Sequence, residues 1–280
     1  MSALHTVRDA RGQGLPAGGY ARVVSLVPSI TETLIELGLG ERLVGRTRFC
    51  VHPAAAVEAV PTVGGTKTPD LDAIRELAPD LVLACREENR REDIEALEDT
   101  GIAVHLIDPR DLDGVRDFLG SLGALLEARP QVEALLLELA AARGRAAGFA
   151  RALAEARGGP PSAICFIWRQ PWMLAGTDCY INGMMAALGL ANRAPATGRY
   201  PALAPEALAA LHPTLVLLPD EPYEFKAAHA TELFSLGVAQ APADCLLVEG
   251  EDLSWYGSRS PRALDALRRR LAAHFGLAAP

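Results

Sequence analysis

Two segments of this chain are written twice, in the same order. Leu77-Ala78-Pro79-Asp80-Leu81-Val82-Leu83 returns as Leu211-His212-Pro213-Thr214-Leu215-Val216-Leu217, and upstream of each, Leu37-Gly38-Leu39-Gly40-Glu41-Arg42 returns as Leu188-Gly189-Leu190-Ala191-Asn192-Arg193. Each copy reads as a helix end, a turn and a buried strand. One core has no need of such a copy, whereas two similar lobes do. Two lobes also leave a cleft, and clefts between domains are favoured ligand sites.

The pattern between the copies supports this reading. Strands are predicted over 22–27, 43–47, 81–84 and 102–107, with helices over 29–37, 70–77 and 89–100 between them. Ser29 and Glu32 have the spacing of a capping box, and Gly38 supplies a helix stop. Such alternation implies a mainly parallel sheet covered by helices. Residues 131–157 carry no proline and are dense in Ala, Leu, Glu and Arg. They predict one helix of about 40 Å, ended by Gly158-Gly159-Pro160-Pro161. A second series follows, with strands over 163–168, 215–218 and 245–248 and helices over 180–188, 205–211 and 261–275. The expected fold class is α/β: two similar α/β lobes with mainly parallel sheets, joined by a single long backbone helix, with a ligand cleft between the lobes. The expected divisions are a disordered or extended N-terminal segment (1–20), an N-terminal lobe (21–125), the backbone helix (126–158) and a C-terminal lobe (159–280).

Composition narrows the partners. Half of the 280 residues are hydrophobic, ample for two cores. The formal charge of −8 argues against nucleic acid, whose phosphates need a basic face, and against an anionic membrane surface. Arg259, Arg262 and Arg268 to Arg270 form a local basic cluster, of which the last three, on a C-terminal helix, read as a solvated face. Five scattered cysteines without a Cys-x-x-Cys pair make a poor disulfide or zinc framework and fit reduced thiols. Residues 1–19 lack the apolar run of a secretory leader, and no segment has the length and apolarity of a membrane span. The sequence as written therefore points to a cytoplasmic protein, or to a periplasmic one if the true start lies upstream.

Four motifs carry a family resemblance: Val24-Ser25-Leu26-Val27-Pro28-Ser29, the stretch from Val44-Gly45 to Pro53, residues 71–84, and Trp255-Tyr256 ahead of Ser260-Pro261-Arg262. Together with the long helix, this ordered set resembles the helical-backbone substrate-binding proteins of ABC transporters, which carry metal ions, siderophores, haem and cobalamin. The likeness runs from about residue 22 to the end and is nearest to the cobalamin-binding members. It implies an aromatic ligand contact after the first repeated strand, where this chain has Cys85. It also implies aromatic contacts at Tyr200, Trp255 and Tyr256, and one transporter-docking glutamate per lobe, at Glu87 or Glu88 and at Glu206. No cofactor is required by this reading; a cobalamin or other metal chelate would be cargo.

Aromatics are scarce, at 5% of the chain, so their clustering matters. Trp168 and Trp172 follow a strand end, where α/β sheets place ligands, and flat rings there can stack on a planar chelate. Packing at the lobe interface is the competing explanation. Cys50 and His52 form a Cys-x-His pair; with Asp178 or Asp220 they have the chemistry to hold a transition metal, yet a lone cysteine is more often a small buried hydrophobe. No metal is assigned. Thr177 and Asp178 precede a helix, where capping is the default role. Arg199 and Arg259 are candidate partners for an anionic group on a ligand. Gly64-Gly65-Thr66-Lys67-Thr68 lacks the full spacing of a phosphate loop, and no catalytic constellation assembles. The expected function is non-catalytic capture of a cobalamin-like corrinoid, haem or siderophore in the cleft, in partnership with an ABC transporter if the protein is exported. The alternative is a cytoplasmic metal-handling protein or enzyme that reuses the scaffold.

Overall fold

The computed structural model describes residues 6–278. The chain divides into two compact units. The first takes the residues up to 109, then 113–137 and 256–259; the second takes 110–112, 138–255 and the residues from 260 onward. In chain order the first series is β1 Thr6–Arg8, β2 Gly14–Pro16, β3 Val23–Ser25, α1 Pro28–Glu36, β4 Leu43–Arg46, α2 Ala54–Val57, α3 Leu71–Glu76, β5 Leu81–Cys85, α4 Arg91–Glu98, β6 Ala103–Ile107 and α5 Leu112–Leu125. The 29-residue helix α6, Arg129–Arg157, follows and contains the boundary at 137/138. The second series is β7 Ser162–Trp168, β8 Trp172–Leu174, α7 Tyr180–Ala187, β9 Ala191–Asn192, β10 Ala202–Leu203, α8 Pro205–Ala209, β11 Leu215–Pro219, α9 Ala227–Ser235, β12 Cys245–Val248, α10 Gly250–Ser254 and α11 Ser260–Phe275.

The first sheet has the order β4-β3-β5-β6, all parallel. Every residue of β3 and β5 is buried, as parallel strands covered on both faces require. Val24, Leu26, Val82, Ala84 and Val104 pack with Ile74, Ile94 and Leu97 from α3 and α4. The second sheet has the order β10-β8-β7-β11-β12, with β9 also beside β7. It is parallel through β9, β7, β11 and β12 and antiparallel where β8 meets β7 and β10. Ile164, Phe166, Val216, Leu218 and Leu233 form its buried centre. Part of the stretch read as disordered or extended is the antiparallel hairpin β1–β2. The turn of that hairpin is tied to strand β6 by the Ala10 N–H, which donates to the Leu106 carbonyl at 2.8 Å. Residues 1–5 lie outside the described residues.

Two sequence-predicted caps are corrected. Helix α1 begins two residues earlier than the capping box implies: Pro28 takes the first helical position and Val27 the cap, with no side-chain bond. Proline suits that position because its missing N–H is an orphan there anyway. Ser29 and Glu32 lie inside the helix, and Glu32 is used elsewhere. At α7 the cap is Cys179, again without a side-chain bond; Asp178 instead pairs with Arg110. Elements with weak sequence signals, α5, α9 and the short strands β8 to β10, complete the fold.

The duplicated segments share their backbone. Gly38 and Gly189 both end a helix in the left-handed region, at φ 74° and 79°. In each copy the next residue's N–H reaches back to a helix carbonyl, Leu39 to Leu34 at 2.8 Å and Leu190 to Met185 at 2.9 Å, the closure glycine permits. Ala78 and His212, each before the repeated proline, are both left-handed at φ 44°. A following proline disfavours the ordinary helical region, so the two copies meet one constraint in one way.

The two glycines differ in their surroundings. A Cβ at Gly38 would meet nothing within 4 Å, whereas one at Gly189 would stand 2.7 Å from Ala150 Cβ and 2.9 Å from its Cα. We expect Gly38→Ala to cost about 1–2 kcal/mol from the backbone alone, and Gly189→Ala to cost more because helix α6 must give way. Urea denaturation of the two variants measures this; equal losses would contradict the packing account.

Candidate functional site

In each parallel sheet the chain leaves from one strand toward one side and from its neighbour toward the other. Ligands in such folds sit outside the carboxyl ends of the strands at that switch point. In the first unit the point lies between β3 and β5, in the second between β7 and β11.

At the first switch point most candidate residues are locked. Cys50 is fully buried. Its thiol lies 3.1 Å from the Thr31 hydroxyl and 3.2 Å from that of Thr47, and burial pushes its pKa up. Cys50 is thus a packed thiol, while His52 is only half-buried. Asp220, after β11 in the second unit, is exposed and accepts the Gly250 N–H at 2.8 Å. Among the described residues, no group of three or more His, Cys, Asp or Glu side chains is placed to hold a metal ion.

Cys85 ends β5 and is buried, its thiol pushed up to about 12 by burial. Its N–H donates to Asn89 Oδ1 at 2.9 Å, and the Asn89 amide donates to the Leu26 and Thr66 carbonyls at 3.3 and 3.0 Å. This one side chain fixes the loop that carries Glu87 and Glu88, both half-buried. Lys67 Nζ donates to the Glu87 carbonyl at 2.5 Å. That bond gives the lysine of the glycine-rich stretch a structural role.

Tyr256 sits beside Cys85 and Ser29 and packs edge-to-face against Phe118, with ring centres 5.9 Å apart. It is 5% exposed, and burial raises its phenol well above the usual value. Tyr256 is therefore a core residue of the first unit and presents no open ring. Arg259 is engaged within the same unit. Its guanidinium binds the Glu32 carboxylate in a two-point fork, 2.9 and 2.7 Å, and Glu32 is 2% exposed. A buried carboxylate demands such a partner, so this arginine is committed to the fold. Nearby, Ser258 N–H donates to Thr33 Oγ1 at 3.1 Å. A Cβ on Gly257 (φ 102°) would stand 2.1 Å from the same oxygen, so the segment depends on glycine there.

The second switch point is more open. Trp168, at the end of β7, is 42% exposed. Its ring meets Tyr223 edge-on at 5.7 Å, and Tyr223 leans on Phe225 at 4.8 Å. Trp172 stacks on Phe225 and meets Phe166 at 5.1 Å. At 8% exposure it supports the platform from below as core packing. Arg169 lies over Trp172 at 5.5 Å and forks onto Glu232 at 3.0 and 2.7 Å. His229 Nδ1 accepts the Lys226 N–H at 2.8 Å, and its Nε2 lies 3.4 Å from the Tyr223 hydroxyl. With Nδ1 accepting, a neutral imidazole carries its proton on Nε2, facing the tyrosine oxygen.

Sequence reasoning missed Tyr223. Its signal was the repeat itself: Tyr223 follows the second repeated strand as the Cys85 loop follows the first. Tyr200 and Arg199 are half-buried, in a segment whose carbonyls at Arg199 and Pro201 accept the N–H groups of Gly176 and Leu174 at 2.8 and 3.0 Å. Trp255 is half-buried at the end of α10, and Glu206 is exposed in the first turn of α8.

Two α/β units on one long helix, with aromatic rings at a sheet switch point, define a ligand-binding class of protein. Residues 23–233 match the model of the periplasmic binding protein family, and the chain belongs to that family, which consists of substrate-binding proteins rather than enzymes. The chain is 33% identical to the vitamin B12-binding protein of Yersinia pestis over 108 residues. That match covers 39% of this chain and 38% of the relative, so the chain spans well under half the length of the curated protein it matches. The periplasmic heme-binding protein BhuT, solved in complex with two hemes, is 29% identical with a TM-score of 0.78, covering 92% of this chain and all of that one. The periplasmic vitamin B12-binding protein BtuF of Vibrio cholerae shares the fold, with a TM-score of 0.76 at 19% identity, covering 92% of this chain and 98% of that one. The cytoplasmic expectation gains no support from this family. Among the described residues no helix is long and apolar enough to cross a membrane.

Removing one partner of a buried ion pair leaves an uncompensated charge and costs roughly 3–5 kcal/mol. We expect Arg259→Ala to destabilise the protein by that order, read from its urea midpoint. A shift equivalent to less than about 0.5 kcal/mol would show that Glu32 is satisfied without the arginine.

Proposed function

We propose that this protein is a receptor that captures a metal macrocycle of corrinoid or haem type and carries it as cargo, without chemical change. The observation that carries the reading is the Trp168–Tyr223 pair. Trp168 is exposed although it ends a core strand, and a buried layer of Trp172, Phe225 and Phe166 holds the pair in place. What sets Trp168 apart is its position, at the carboxyl end of a core strand beside a switch point, where α/β sheets place ligands, and an aromatic face there suits a flat, partly apolar ligand. The names of the family's relatives, which include binders of vitamin B12 and heme, support the same ligand class. Tyr200 and Trp255, both half-buried, are proposed as further contacts, with Arg199 available to an acidic side arm of the chelate.

The family's periplasmic setting favours the second of the two locations named above, and with it delivery to an ABC transporter. Glu88 and Glu206 are then the proposed docking carboxylates. Fractionation of cells that make the protein tests this, with recovery in the periplasmic fraction expected and recovery in the cytosol alone opposing it.

Ligand capture is tested by tryptophan fluorescence quenching during titration with haemin and with cyanocobalamin. We expect saturable quenching by one of them, and a Kd about tenfold or more weaker for Trp168→Ala, or roughly 1.4 kcal/mol. Failure of both to bind, or an unchanged Kd in the variant, would overturn the reading.

A further inference from the structure

The first unit contains a concave site of its own. Its cavity has a volume of about 520 Å3, within the range of roughly 300–1,000 Å3 usual for small-molecule pockets. It lies where the turn of the β1–β2 hairpin, the loop after β5, helix α4 and strand β6 meet. The floor is apolar: Ile94 and Leu106 line it and are 3% and 7% exposed. The walls bring in three guanidinium groups, Arg11, Arg86 and Arg91, against two carboxylates, Glu95 and Glu98.

What matters is which of these charges is already satisfied. Glu98 accepts both terminal nitrogens of Arg11, at 3.0 and 2.7 Å. Arg11 is further tied to Asp9 through Nε at 2.8 Å. Glu95 accepts Arg91 Nε at 2.6 Å. Both wall carboxylates are therefore engaged. Arg91 has given up only Nε in that bond, and its side chain is 87% exposed. Arg86 donates to the Ala10 carbonyl at 3.1 Å through one terminal nitrogen and makes a loose ion pair with the Asp108 carboxylate at 3.7 Å through the other, longer than a good hydrogen bond. The remaining donor capacity of the wall is thus the two terminal nitrogens of Arg91, joined by those of the loosely paired Arg86, above a hydrocarbon floor. Planar guanidinium groups bind carboxylates in a two-point fork.

We propose that this cavity binds a small organic carboxylate with an apolar body, the acid groups held by Arg86 and Arg91 and the body resting on Ile94 and Leu106. Asn89 lines the same cavity and also fixes the loop after β5 through three hydrogen bonds. An occupant therefore touches the side chain that sets the position of Glu87 and Glu88. The site rests on its own wall chemistry and stands whether or not the chelate reading holds.

Phthalate, an aromatic dicarboxylate, is the probe. Titration of the whole protein followed by amide NMR should show saturable shifts confined to residues around Gln13, Asn89 to Ile94 and Leu106, with a Kd at or below about 1 mM. Arg86→Gln and Arg91→Gln should each weaken binding by about fivefold or more. Arg91 is exposed enough that its variant folds even if the Arg86 variant does not. Arg75→Gln, on helix α3 outside the cavity, should leave the Kd unchanged. Absence of saturation, unaltered binding in Arg91→Gln, or an equal loss in Arg75→Gln would each overturn the proposal.

Discussion

Both units are organised by parallel strands with no face in water. Each residue of β5 and of β11 is buried, and a backbone so placed can satisfy its polar groups only through neighbouring strands. Side chains along these strands are accordingly apolar, and polar chemistry is displaced to the loops at the strand ends. The candidate groups follow from that displacement: the Cys85 loop after β5, Trp168 after β7, Tyr223 after β11. The helices contribute by covering the sheets and by ending on time, which Gly38 and Gly189 enforce at nearly the same φ.

A second layer of organisation is non-local. Residues 256–259 belong to the first unit although the chain on both sides of them belongs to the second. Their bonds are strong and specific: the Arg259–Glu32 fork, the Ser258–Thr33 bond and the Tyr256 ring against Phe118. Helix α1 is thereby held by a segment more than two hundred residues downstream. Tyr256, Arg259 and Glu32, read from the sequence as ligand contacts or a cap, all take part in this clasp.

Much of the fold was legible because its signals are local. Periodicity located β5, β7, β11, β12 and the long helix to within a few residues, and the repeat located both glycine stops. Misreadings came where the deciding partner lies far along the chain. Nothing near Glu32 announces Arg259, and nothing near Arg110 announces Asp178, so capping was the natural local reading for both acids. Among the aromatics, sequence gave the right neighbourhood without the direction. Trp168 and Trp172 are four residues apart, yet β8 folds back on β7, turning one ring into the core and the other toward solvent. For Cys50 a buried thiol was the favoured reading, and its hydroxyl neighbours Thr31 and Thr47 show how that thiol is held. Tyr223 was findable had the repeat been followed one loop further.

The proposed receptor role requires the Trp168–Tyr223 platform to favour flat metal macrocycles over other small molecules. Native mass spectrometry of the protein mixed with haemin, cyanocobalamin, amino acids and sugars addresses it most directly. The account predicts a single dominant adduct at the mass of one of the two metal macrocycles. An adduct with an amino acid or a sugar instead, or unliganded protein alone, would contradict it.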